Sequence, residues 1–411
     1  MTGRAEQGQF RRLMVLIATS FVDMIGFSIV FPLLPFYTLK LHGTAFDVGL
    51  ITAAFSAAQI LSAPIWGRVS DRYGRRPALL IGLLASAAAY VVFGLANALW
   101  LLLASRFIQG AGGGTTGVAQ AYVADTVKPG DRARALGWLS AATSAGVMLG
   151  PAIGSFATRI NHEAPGFVAA ALCLVNAAFA WKWLPESRVR DPGAPHVARK
   201  PVWHAAWQVV RQPRGAVPRL IWIYAAGMLA FSGLSSVLAL YLGAEFGVTE
   251  KTIAPVFVYI ATVGLLMRSI LLGPIVDRLG ETWTMRAGTL VLIIGLLLYP
   301  QAHSYLALAI VIPFVPIGTA LLFPATTALM SRKSDREELG TVMGVAQTFG
   351  GISRVIAPLL ATIAFGHIGH VAPFYLAGVV VALVSLLAFR IDPAAPHHTP
   401  AAGTPTADRP A

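Results

Sequence analysis

Charge is scarce in this chain of 411 residues. Asp, Glu, Lys and Arg make up 12% of it, against roughly 25% in soluble domains, and 56% of its residues are hydrophobic. That deficit excludes a water-soluble globule, because so much apolar surface needs lipid as its solvent. Acid is scarcer still, with 18 Asp and Glu against 31 Lys and Arg, and the formal charge of +13 raises the question of nucleic acid. No basic surface interleaved with aromatics supports such a partner, and none is expected. Cysteine occurs once, as Cys173, which excludes an intramolecular disulfide and a cysteine-rich metal site. Gly110-Ala111-Gly112-Gly113-Gly114 lacks the Lys-Ser/Thr ending of a phosphate cradle. His367 and His370 have i,i+3 spacing but no third ligand. No Ser/His/Asp constellation stands out, so the expectation is no enzyme, no metal and no cofactor.

Long apolar runs are what the chain does have. Stretches near 20 residues, enough to cross ~30 Å of hydrocarbon, recur twelve times, at about 13–36, 48–66, 77–96, 99–123, 135–158, 165–184, 219–243, 252–275, 284–302, 304–330, 339–364 and 371–390. Helices satisfy their own backbone hydrogen bonds in lipid, so the fold class is an all-α membrane protein. With the N-terminus cytoplasmic, only Lys40, Arg159 and Lys251 fall outside and Arg106, Arg268 and Arg354 within helices, leaving 25 of the 31 basic residues inside. The positive-inside rule thus assigns both termini to the cytoplasm and reads the basicity as topology, with membrane lipids as partners. The first span follows Arg11-Arg12 but is longer than a signal-peptide core and contains Asp23 and two prolines, so it is expected to be retained. Residues 185–218, rich in Pro, Arg and Lys, form a cytoplasmic linker between halves 1–184 and 219–390. The Pro-, Ala- and Thr-rich tail 391–411 is expected to be disordered.

The halves echo each other. Gly67-Arg68-Val69-Ser70-Asp71-Arg72-Tyr73-Gly74-Arg75-Arg76-Pro77 has a degraded copy 206 positions later, Gly273-Pro274-Ile275-Val276-Asp277-Arg278-Leu279-Gly280. The repeated G-x-x-x-D-R-x-G resembles the loop between helices 2 and 3, and its partner between helices 8 and 9, of the major facilitator superfamily. That resemblance implies twelve transmembrane helices in two pseudo-symmetric six-helix halves, with a gate that includes Gly67, Asp71, Arg72, Gly74, Arg75, Asp277 and Arg278. It also implies that Asp125, at the end of helix 4, meets Arg75, while Asp71 faces the N-terminal end of helix 11, whose partial positive charge suits a carboxylate. Gly146, Gly150, Pro151 and Gly154 in helix 5 resemble the G-x-x-x-G-P-x-x-G motif of the drug:proton antiporters in that superfamily. Small residues at this spacing also serve plain helix packing.

Intramembrane charge marks function, since each such group costs about 2.5–3.5 kcal/mol on insertion scales unless paired or hydrated. Asp23 is the one acid well inside a span, and Ser20 to Pro35 resembles helix 1 of tetracycline-type efflux pumps. Arg106, in Arg106-Phe107-Ile108-Gln109-Gly110, matches the R-x-x-x-G of helix 4 in the same antiporters. A carboxylate and a guanidinium in one cavity share a pairing that protonation switches off; a permanent structural ion pair is the plainer alternative. Gln59, Gln109, Gln120, Asn176, Gln347 and Arg354 are candidate cavity residues, though amides in helices also bond neighbouring helices. The tetracycline-type acids of helices 3 and 9 are missing, since Ala89 precedes Tyr90 and residues 284–302 contain no acid. The expectation is a monomeric, proton-coupled exporter of small amphipathic or hydrophobic compounds, drugs and tetracycline-like molecules among them, driven by the proton gradient across a bacterial plasma membrane. The alternatives are a symporter or uniporter for a metabolite, with Arg354 holding an anionic group, and a non-transporting receptor or lipid-handling protein.

Overall fold

The computed structural model describes residues 2–113, 115–128, 131–187, 202–213, 215–335 and 338–390, and among them every regular element is a helix. The first span comprises α1 (Thr2–Val30), a 3-10 turn at Phe31–Leu33 and α2 (Leu34–Lys40); Pro32 and Pro35 set that turn because proline cannot donate to the helical ladder. α3 (Ala45–Tyr73) and α4 (Arg75–Gly94) follow, then a broken fourth span, α5 (Leu99–Gly112) and α6 (Thr115–Thr126). α7 (Arg132–Ala157) and α8 (Ala164–Trp183) complete the first half. After the short α9 (Val202–Arg211), the second half opens with α10 (Ala216–Phe246) and α11 (Ala254–Leu266). α11 runs through one wider π turn, Met267–Leu271, into α12 (Leu272–Leu298). α13 (Tyr305–Val311), α14 (Phe314–Lys333), α15 (Leu339–His367) and α16 (Ala372–Ser385) end the fold. Among the described residues nine helical stretches are long and apolar enough to cross a membrane, and Ala254–Gln301, at 48 residues, has length for two crossings. With α5 plus α6 and the shorter α16, the described residues provide twelve spans.

Three expectations change. The fourth span is not one helix, because Gly112 and Gly113 end α5 where it packs against α4: a Cβ at Gly112 would sit 2.8 Å from that of Ala85. No loop separates the eighth and ninth spans. The chain turns at Gly280 alone, whose φ of 73° and ψ of 164° match the φ of 112° and ψ of 158° at Gly74. Those two glycines are 206 residues apart, and the positive φ explains why the motif ends in glycine. Third, α9 lies inside the segment read as a polar linker; it packs against α15 with Val209 buried. Residues 188–201 of that linker and the tail 391–411 lie outside the described residues.

Within the first half α1 packs along α7 and α8, and within the second α10 packs along α15. Between halves, α3 lies on α15 and α7 on α11. These seams close tightly at one end only. There Lys40 pairs with Glu250 at 2.5 Å, Ser155 donates to the Glu250 carbonyl at 2.9 Å, and a Cβ at Gly49 would meet the Pro358 carbonyl at 2.8 Å. At the other end, which bears the 67–77 loop and its copy, a Cβ at Gly67, Gly137, Gly273 or Gly340 would meet nothing within 4 Å. The bundle is therefore sealed at one end and splayed at the other.

Candidate functional site

Helix α1 holds Asp23 half-buried on the wall of a cavity of about 280 Å³, lined also by Ser20, Leu83, Thr115, Gln120 and Thr143. The Thr115 hydroxyl donates to Asp23 Oδ2 at 3.2 Å. Beside the cavity, α1 and α7 touch backbone to backbone. A Cβ at Gly146 would lie 2.5 Å from the Phe21 carbonyl, one at Gly150 would lie 2.0 Å from Ser28 Oγ, and one at Gly154 would lie 2.5 Å from the Ile29 carbonyl. Ser28 Oγ donates across the same contact to the Gly146 carbonyl at 3.2 Å. Pro151 stands inside α7 between those contacts. The four motif residues thus fix the helix that carries Asp23.

Arg106 and Asp23 form no ion pair here. The Arg106 side chain is 2% exposed, its guanidinium lies 5.3 Å from the Phe93 ring centre and 5.9 Å from that of Tyr90, and its Nε and Nη2 have no hydrogen-bond partner. Tyr90 neighbours Arg106 and helix α1 alike: its ring centre lies 5.9 Å from the Arg106 guanidinium, and its edge comes within 3.5 Å of a Cβ position at Gly26, three residues beyond Asp23. In place of the direct pairing expected from sequence, this conformation holds Arg106 as a buried cation among aromatic rings. Such a group is rare in folded proteins and calls for an explanation in function.

The amides divide. Gln120 lines the cavity with Asp23. Gln109 and Asn176, expected on the cavity wall, are 3% and 2% exposed and lie between helices, where Gln109 donates to the Tyr90 hydroxyl and Asn176 to the Thr19 carbonyl. Gln59 reaches the Gly113 carbonyl at 3.4 Å, bridging the broken span. Gln347 and Arg354 are the polar neighbours of Tyr224 in the second half.

At the splayed end Arg75 joins Asp71 at 2.7 Å and Asp125 at 2.9 Å. Arg72 lies over the Tyr73 ring at 5.4 Å, and Asp277 and Arg278 are exposed on α12 just before the Gly280 turn. Sequence reading missed two partners. Glu186 receives the Arg75 and Arg76 backbone N–H groups at 2.8 and 3.1 Å, capping the positive end of α4. Glu281 pairs with Arg332 at 2.6 Å. Glu281 is the 206-residue counterpart of Arg75, and Arg332 ends α14 as Asp125 falls near the end of α6, so the second half repeats the ion pair with its charges exchanged. Charge at those repeat positions was the available signal, hidden because the sign differs.

A twelve-span bundle with a half-buried carboxylate on a cavity between helices is the architecture of a membrane transporter. The family model of the Major Facilitator Superfamily matches residues 16–271 and 263–409, and the chain belongs to that family. It is 30% identical over 373 residues to Multidrug resistance protein 1 of Bacillus subtilis (strain 168), covering 90% of this chain and 94% of that protein. It is 26% identical over 363 residues to the class B tetracycline resistance protein of Escherichia coli, covering 86% and 88%. Among solved structures, a bacterial homologue of the human lysosomal transporter Spinster superimposes with a TM-score of 0.75 at 16% identity, over 93% of this chain and 97% of that one. The protein is a transporter and not an enzyme.

Proposed function

We propose that this transporter is a proton-coupled antiporter that exports small amphipathic compounds, tetracycline-like drugs among them, from the cytoplasm across a bacterial inner membrane. The observation that carries this reading is Asp23, the one carboxylate well inside a span, held on a cavity wall by a single hydrogen bond from Thr115. The efflux names of the relatives support the direction of transport. By the distribution of basic residues the splayed end, with Arg68, Arg72, Arg75 and Arg76, faces the cytoplasm, together with both termini and the 185–218 linker. The halves 1–184 and 219–390 then rock about the seam between them, alternately exposing to either side the Asp23 cavity in the wall of the first half.

Burial disfavours a charged carboxylate and a nearby guanidinium favours it, so helix movement that brings Arg106 to Asp23 switches the balance. Asp23 binds a proton when the cavity opens outward. It releases the proton inward as Arg106 gains the carboxylate as its partner. Proton entry thereby drives cargo exit. In proteoliposomes, Asp23→Asn is expected to bind a neutral cargo within about twofold of wild type and to lose accumulation driven by an imposed pH difference. A variant that still builds a gradient under that pH difference would place the proton carrier elsewhere.

A further inference from the structure

Helix α15 has two unlike sides. Ile352, Ile356, Leu360 and Ile363 are exposed, apolar and spaced three or four residues apart, which makes them the stripe that faces lipid. At about 100° per residue, Arg354 lies roughly 200° from Ile352 and the same from Ile356, on the opposite side of the helix. It shares that side with Gln347, Gly351 and Pro358, and this is the side that meets the other half. A Cβ at Gly351 would sit 2.9 Å from Ile60 of α3 and 3.9 Å from Arg354 Nη2. The guanidinium therefore lies at the mid-height seam between the halves, half-buried, away from lipid and from either rim.

Its surroundings are aromatic and free of acid. Tyr224 of α10 comes within 2.8 Å of a Cβ position at Gly350 and has Gln347 and Arg354 as polar neighbours. Phe323 meets Tyr224 at 5.4 Å and Phe231 at 6.4 Å between ring centres. Among the described residues Arg354 has no ion pair, and the described carboxylates of this half, Glu245, Glu250, Asp277, Glu281, Asp335 and Glu338, all lie at helix ends or turns. Arg354 thus presents a fork of guanidinium donors beside an aromatic platform, with no carboxylate among the described residues paired to it. The geometry of that fork matches a carboxylate or sulfonate.

We propose that the cargo is an amphipathic organic anion, its carboxylate or sulfonate held by Arg354 and its apolar body resting on Tyr224, Phe323 and Phe231. This rests on the export reading above and has a consequence that reading lacks. One proton entering for one anion leaving moves two positive charges inward per cycle, whereas a neutral cargo moves one and a monocation none. The inside-negative potential alone then drives export of an anion.

The test uses the full chain and three probes with one ring system: naphthalene-1-sulfonate, naphthalene-1-sulfonamide and 1-naphthyltrimethylammonium. Binding is measured in detergent, and flux of the charged probes in proteoliposomes under a potassium diffusion potential with equal pH on both sides. The expected result is preferential binding of the sulfonate and a sulfonate flux driven by the potential. Arg354→Gln weakens sulfonate binding at least tenfold and sulfonamide binding less than twofold, and Arg354→Lys falls between wild type and Arg354→Gln. Equal losses for both probes would make Arg354 a packing residue and overturn the proposal. Electroneutral exchange of the ammonium for protons would leave the export reading standing and defeat the anion. Failure to move either charged probe under both potential and pH differences would defeat export and anion together.

Discussion

At the residue scale, the sealed end contains a carboxylate whose protonation opposes closure. Burial pushes the Glu250 carboxyl up, but the hydrogen bond and charge of Lys40 outweigh it and hold the group below its ordinary value. His162, whose ring stacks on Tyr37 at 3.8 Å between centres, is lowered from 6.5 by burial and by the Lys40 charge, against smaller opposing effects of Glu250 and Glu163. A lowered carboxyl stabilises the sealed form above its ordinary pKa and loses that contribution as pH falls through the lowered value. Tyr37 and Lys40 belong to the same half as His162, so its lowered value does not depend on the seal, and the acid response rests on Glu250. Access of an impermeant thiol reagent to a cysteine at position 45 is therefore expected to rise as pH falls below about 4.5. Glu250→Gln should raise access at every pH by breaking the 2.5 Å pair with Lys40 and flatten that rise. Access that declines on acidification would contradict the assignment.

At the element scale, the α1–α7 contact sets the position of Asp23, and its tightness depends on three glycines. A methyl group at Gly150 would overlap Ser28 Oγ at 2.0 Å and crowd the Ile25 carbonyl at 2.8 Å. Backbone cannot yield as a flexible side chain does, so Gly150→Ala is expected to cost about 1–3 kcal/mol as overpacking. It should lower the melting temperature in detergent and reduce transport. Gly137→Ala, on the same helix but facing open space, serves as the control, and equal behaviour of the two variants would refute the packing role. These glycines were legible in the sequence because small residues at regular spacing show in one dimension, as do apolar runs of membrane length and the duplicated loop. What stayed hidden depends on distance in space. Glu281 and Arg332 are 51 residues apart and carry the opposite signs to Arg75 and Asp125, so a search for a repeated motif passes over them. Glu186 caps α4 from just beyond the end of the neighbouring α8, 111 residues on in sequence. The amphipathic α9 sits among prolines and arginines that mask its period. Tyr90, Arg106 and the Gly26 turn of α1 come together because three helices meet there, which no spacing within one helix reveals.

For the whole molecule, alternating access requires that the seal between α3 and α15 open once per cycle, and one pair of positions tests this directly. Gly366, near the end of α15, faces Ala45 at the start of α3, and a Cβ there would lie 3.9 Å from the Ala45 Cβ. That separation falls within the ~3.5–4.5 Å of disulfide-bonded cysteines. The native Cys173 is buried, so it does not compete. Ala45→Cys combined with Gly366→Cys is expected to oxidise readily and to hold the bundle sealed at this end and open at the other. Cargo then still binds from the open side, since the Asp23 cavity and the Arg354 seam lie beyond the lock, but transport stops. Each single variant should transport normally, and reductant should restore the double variant. Binding affinity and flux, measured on one oxidised preparation, separate a locked transporter from a misfolded one: the first keeps its affinity and the second loses it. Full flux through a completely cross-linked protein would mean that this seam does not open in the cycle, and the rocking of the two halves against each other would have to be abandoned.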